Sequence, residues 1–199
     1  MKTLELKHIA PYLPYGLKCR LNKKGKFNLD EEYPQPHNEV CRITNLFIDT
    51  VQIEISDDDI EYGLLDIDEV DILLRPLSDL AKEIEIDGKR FVPLVELAKI
   101  EGLIDIADAS PKFNYLNLED CKVFGVAFNI ENDNNDAIIE VLGYDTKNGF
   151  GRHIKYEVGE PTFHIVGHQY QLFEKLFEWK FDVFCLIEQG LAIDLNTIK

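Results

Sequence analysis

Lys122-Val123-Phe124-Gly125-Val126-Ala127-Phe128-Asn129-Ile130, Ala137-Ile138-Ile139-Glu140-Val141-Leu142-Gly143-Tyr144 and Arg152-His153-Ile154-Lys155-Tyr156-Glu157-Val158 follow one another with only short polar breaks. Val, Ile, Phe and Tyr suit a pleated, half-buried surface. The breaks, residues 132–136 and Lys147-Asn148-Gly149, are rich in Asn, Asp and Gly, the residues of turns. The pattern predicts a three-strand meander over 122–130, 137–144 and 152–158.

Upstream lies a second local signal. Glu83-Ile84-Glu85-Ile86, Asp87-Gly88 and Lys89-Arg90-Phe91-Val92 predict a two-residue hairpin, because Asp-Gly tolerates the positive φ of a type I′ turn. A short helix over 77–82 precedes it. Pro93 then suits the first turn of a helix over 94–100 that Gly102 closes. Nearer the N-terminus, residues 1–15 read as an irregular segment or a single helical turn interrupted by Pro11 and Pro14. Strands are expected over 17–22 and 26–29, as a hairpin around Lys23-Lys24-Gly25, and over 40–46, 50–55 and 70–74. The 50–55 segment alternates Val51, Ile53 and Ile55 with Gln52 and Glu54, a period of two with one wet face.

At the C-terminal end, a helix over 167–179 places Tyr170, Phe173 and Phe177 on one stripe, with Phe181 a turn further, and Leu172, Leu176 and Trp179 widen it. A second helix over 182–189 stops at Gly190, and 191–195 returns as a strand. Strands that precede helices without βαβ alternation read as α+β. The expected fold is a mostly antiparallel sheet of hairpins and a meander, with C-terminal aromatic-rich helices packed on it. The 199 residues fit a single α+β domain over 1–199, or two intimate halves at about 1–110 and 111–199.

Charge is the most unusual feature. The chain carries 37 Asp+Glu against 21 Lys+Arg, a formal net charge of −16. Residues 1–28 hold seven Lys/Arg and one Glu, whereas residues 29–71 hold fourteen Asp/Glu and one Arg. Most of this surface repels a polyanion, so general nucleic-acid binding is disfavoured. No run approaches the roughly 18 apolar residues of a membrane helix, and the first residues lack a signal-peptide pattern. The expected location is intracellular. Cys19, Cys41, Cys121 and Cys185 contain no CxxC and sit among apolar neighbours, so they read as buried, reduced thiols.

Candidate sites are few. Asp57, Asp58 and Asp59 head the densest acidic run and are candidate ligands for a hard cation, although the glycine and terminal glutamate of an EF-hand loop are missing. His153, His164 and His168 are candidate zinc ligands, since histidines at i and i+4 share a helix face. No Glu follows His164, so HExxH is absent. Lys18, Arg20, Lys23, Lys24 and Lys26, with Tyr12, Tyr15 and Phe27 nearby, are candidate contacts for a nucleic-acid backbone. The chain has three serines, none in GxSxG, and neither GxxxxGK[ST] nor GxGxxG. No catalytic residue and no cofactor is expected.

Three segments carry a resemblance: Leu6-Lys7-His8-Ile9-Ala10-Pro11-Tyr12-Leu13-Pro14-Tyr15-Gly16-Leu17, Leu73-Leu74-Arg75-Pro76-Leu77-Ser78-Asp79-Leu80-Ala81-Lys82-Glu83-Ile84, and Trp179-Lys180-Phe181-Asp182-Val183-Phe184-Cys185-Leu186-Ile187-Glu188-Gln189-Gly190-Leu191-Ala192-Ile193-Asp194. Together they resemble uncharacterised proteins encoded by prophages and other mobile elements of gut bacteria. That pattern has His at position 180 and Gly at 185, where this chain has Lys180 and Cys185; no role of that histidine is carried over. The resemblance implies a phage-like setting in the cytoplasm of a bacterial host cell, no secretion and no catalytic residues. The expected function is a non-catalytic accessory or interaction protein with a protein partner from host or phage. The alternatives are an acidic inhibitor that imitates DNA towards host DNA-binding or restriction proteins, and a divalent-metal-dependent hydrolase.

Overall fold

The computed structural model describes residues 3–22, 40–54, 62–102, 110–112, 117–118, 121–131, 137–145, 149–155 and 162–198. In chain order the elements are α1 (Leu6–Ile9), β1 (Lys18–Leu21), β2 (Cys41–Leu46), β3 (Thr50–Glu54), β4 (Tyr62–Asp66), β5 (Val70–Leu74), β6 (Ile84–Ile86), β7 (Lys89–Phe91), α2 (Pro93–Ile100), β8 (Ser110–Lys112), β9 (Asn117–Leu118), β10 (Cys121–Glu131), β11 (Ala137–Asp145), β12 (Gly149–Lys155), β13 (Thr162–Ile165), α3 (Gln169–Glu178) and β14 (Ala192–Asp194). Short 3-10 turns lie at Ala10–Tyr15, Ile67–Glu69, Leu77–Ala81 and Leu195–Thr197. The chain divides into two compact units, Leu77–Leu176 and Met1–Pro76 with Phe177–Lys199. The fold is α+β, and its sheets are antiparallel except for one parallel strand pair.

The meander builds the unit Leu77–Leu176. β10, β11 and β12 pair antiparallel in sequence, β13 joins beyond β12, and β8 and β9 pair with β10. β12 starts at Gly149, ahead of the expected Arg152, because pairing resumes at once with Asp145 opposite Gly149. The first residue of α3 secures that hairpin end. Gln169 Oε1 accepts the Phe150 N–H at 3.1 Å, and Gln169 Nε2 donates back to the Phe150 carbonyl. One side chain thus satisfies both main-chain groups of a residue, as a neighbouring strand would. Phe173 stands edge-on to Tyr144 and Phe150, with centroids 5.9 and 5.5 Å away, and Tyr144 and Phe150 are buried.

The β6–β7 hairpin turns at Asp87 and Gly88, both at positive φ (50° and 76°), as a type I′ turn requires. Pro93 opens α2, and Leu94, Leu97 and Ala98 form its buried stripe at i, i+3, i+4.

The other unit is a six-stranded sheet in the order β14-β5-β1-β2-β3-β4. Its core face follows from alternation: Cys19 and Leu21, Cys41 and Ile43, Val51 and Ile53, Leu65, and Val70, Ile72 and Leu74 are all buried. Tyr12, fully buried in the Ala10–Tyr15 turn, donates its hydroxyl to the Phe181 carbonyl at 2.6 Å. Its ring meets Phe177 edge-on at 5.1 Å and Phe184 at 6.4 Å. The chain at Phe181 lies parallel to Arg75, through Arg75 N–H to Lys180 O and Asp182 N–H to Arg75 O at 2.7 and 2.9 Å. β14 then pairs parallel with β5.

Several expectations are corrected. Residues 182–189 form turns, not a helix. The buried Asp182 carboxylate accepts the N–H groups of Leu186 and Ile187 at 2.8 Å each, and Cys185 takes φ 54°, which a continuing right-handed helix excludes. In α3 the buried positions are Leu172 and Leu176, while Tyr170 is 75% exposed and Phe173 and Phe177 are half-buried. Leu172, Leu176, Trp179 and Phe181 are thus the buried part of the expected stripe, and of its aromatic residues Tyr170 alone stands exposed. The expected hairpin partner of 17–22, residues 26–29, lies outside the described residues; β1 pairs with β2 and β5.

Candidate functional site

The sheet of Met1–Pro76 with Phe177–Lys199 ends at β4, whose other side pairs with no described strand. β4 hydrogen-bonds β3 from Glu54↔Tyr62 to Thr50↔Asp66. Leu65 faces the core, so its neighbour Leu64 faces outward and is 66% exposed. The turn between β2 and β3 carries Phe47 (50% exposed) and Ile48 (91% exposed). That turn is tied to the end of β4 by the Ile67 N–H, which donates to the Asp49 carbonyl at 2.9 Å. Three apolar side chains are therefore exposed around a strand edge that no described strand covers. Acids follow directly: Asp66 and Glu69 form a reciprocal cap, with the Asp66 N–H donating to Glu69 Oε2 at 3.0 Å.

On the outward face of the same sheet lie two of the expected basic residues. Lys18 and Arg20 alternate with the buried Cys19 and Leu21, and Arg42 stands opposite Lys18 between the buried Cys41 and Ile43. Arg42 carries no signal in the local sequence pattern; its cross-strand register with Lys18 is what makes it a neighbour. Lys23, Lys24 and Lys26 lie outside the described residues, as do Asp57, Asp58 and Asp59.

The three candidate histidines are distributed over two strands and a turn. His164 lies on β13 opposite Arg152, and His153 lies on β12 opposite Phe163. His168 lies in the turn before α3, so no helix face carries His164 and His168 together. Instead His168 Nδ1 meets Glu101 Oε2 at 3.0 Å, where the Glu101 side chain is 7% exposed. Among the described residues no group of three or more His, Cys, Asp or Glu side chains is placed to hold a metal ion. Among them, too, no helix is long and apolar enough to cross a membrane.

Cys19 and Cys41 are directly opposite each other, both buried on the core face, and Cys185 is half-buried. Burial pushes the Cys19 thiol far above its ordinary value, so it is inert as a nucleophile. Burial likewise raises Asp71 and Asp182, opposed by hydrogen bonds from Asn22 and from the Ile187 and Leu186 N–H groups respectively. Both acids have structural partners.

No protein-family model, curated protein or solved structure matches the chain.

Proposed function

We propose that the chain is a non-catalytic interaction protein that takes an extended segment of a partner protein onto the open side of β4. The observation that supports this reading is an edge left unpaired among the described strands, with Leu64, Phe47 and Ile48 exposed around it. A free strand edge offers a row of main-chain donors and acceptors, and exposed side chains beside it supply specificity. The partner segment is apolar and basic, since residues 29–71 hold fourteen acids and one Arg. A second copy of this chain is a poor occupant, because edge-to-edge pairing would bring two such acidic regions together. The phage-like setting and a cytoplasmic location belong to the same proposal, and they rest on the resemblance of the three segments.

The test is capture of a partner by tagged protein from nuclease-treated host lysate, with wild-type chain beside an Ile48→Lys, Leu64→Lys double variant. Burying one such side chain is worth about 1.5–3 kcal/mol. Adding two like charges to a basic segment's site compounds the loss, so capture is expected to fall by more than about tenfold. A partner held equally by both proteins, or none held by either, contradicts the proposal.

A further inference from the structure

We propose that Lys18, Arg20 and Arg42, side by side on the outward face of β1 and β2, form a binding site for a compact phosphorylated ligand. Lys18 and Arg42 are register partners, and like charges directly opposite one another destabilise a strand pair. Acids are within reach but unused. Glu54 is opposite Arg42 on β3 and Asp71 is opposite Arg20 on β5, yet none of the three cations forms an ion pair or hydrogen bond with a described residue.

The reasons are visible at two of the three positions. The Arg42 guanidinium lies against the main chain of Gly16, where a Cβ would sit 3.3 Å from Nε and 3.6 Å from Cζ. Gly16 holds φ 69°, so a glycine both makes the turn into β1 and leaves the seat for Arg42. The Asp71 carboxyl takes its hydrogen bond from Asn22, and Arg20 Nε is buried without an acceptor. A buried donor without a partner is costly. In a chain with 37 acids, three such cations together are a local rule broken, and broken rules concentrate at functional sites.

Geometry sets the ligand class. Neighbouring strands are about 4.8 Å apart and residues i and i+2 about 6.7 Å apart, so the three cations outline a triangle the size of one or two phosphoryl groups. Glu54 and Asp71 border the triangle on the flanking strands. A longer polyanion would run onto those carboxylates, whereas a phosphate or diphosphate group fits inside them. Arginine adds a planar fork suited to phosphate oxygens.

The experiment is calorimetric titration of the full chain at low ionic strength with inorganic pyrophosphate. In parallel it uses Lys18→Gln, Arg42→Gln and, as a control, Lys89→Gln on the remote β6–β7 hairpin. Saturable binding is expected, weakened about tenfold or more by each of Lys18→Gln and Arg42→Gln and unchanged by Lys89→Gln. Circular dichroism of each variant separates lost binding from lost fold. No saturable binding at millimolar pyrophosphate, or equal binding by a folded Lys18→Gln, Arg42→Gln double variant, overturns the proposal. A third arm with single-stranded oligonucleotide distinguishes the ligand source: binding tighter than pyrophosphate and steeply salt-dependent would replace the compact ligand with a nucleic-acid strand.

Discussion

The six-stranded sheet has two ends, and they are built differently. At one end β14 is three residues long, pairs parallel with β5, and runs straight into a 3-10 turn. Asp194 Oδ1 accepts the Asn196 N–H at 2.9 Å, and the Thr197 hydroxyl donates to the Asp194 carbonyl at 2.7 Å. At the other end β4 is five residues long, with Leu64 and Ile48 in water beside it. Short edge strands that turn away blunt their own pairing potential, whereas a longer edge with exposed apolar side chains invites a partner. On the proposed reading, β14 closes the fold and β4 makes the contact.

If the β14 end is structural, breaking its anchor must destabilise the unit. Asp182→Ala removes the acceptor of two N–H groups, and with Leu186 fully buried the loss is expected to cost about 3 kcal/mol, read by chemical denaturation. Tyr12→Phe removes the hydrogen bond to the Phe181 carbonyl and should cost about 1–2 kcal/mol. Ile48→Lys and Leu64→Lys, at the other end, should each change stability by less than about 0.5 kcal/mol. Equal losses at both ends would dissolve the distinction.

Smaller effects sharpen it. Cys185 holds φ 54° without being glycine, so Cys185→Gly should raise stability by up to about 1 kcal/mol, seen as a higher thermal midpoint. The smallest expected effect is a pH slope. Burial raises the Asp71 pKa above the ordinary 3.8, so the folded state holds its proton more tightly than the unfolded chain. Its contribution therefore falls as pH rises from 3.8 through the raised value and is restored as pH drops back. Asp71→Asn should flatten that part of the stability–pH curve. An unchanged slope would mean that the carboxyl is solvated.

Much of the architecture is legible where its determinants are local. The Asp87-Gly88 turn, Pro93 at the start of α2 and the alternation of β3 each need only neighbours in sequence, and each is found in place. β4 is harder to see because Tyr62-Gly63-Leu64-Leu65-Asp66 carries a glycine and follows a dense acidic run. Its pairing comes from β3, not from its own pattern. β13 is similarly short and follows Pro161. Residues 182–189 show the opposite failure. Their apolar spacing suits a helix, but Asp182 captures the amides and Cys185 turns left-handed. Of the basic cluster, Lys18 and Arg20 are apparent from one strand, whereas Arg42 joins them only through strand pairing. The contact edge depends on strand order, which no local pattern encodes.

The claim that β4 receives a partner strand is tested most directly by amide hydrogen–deuterium exchange over residues 62–66, with and without the captured partner. Strand addition ties outward main-chain N–H groups into new hydrogen bonds, so exchange there should slow while β14 is unchanged. Protection confined to other elements, with residues 62–66 exchanging as in the free protein, would contradict the account.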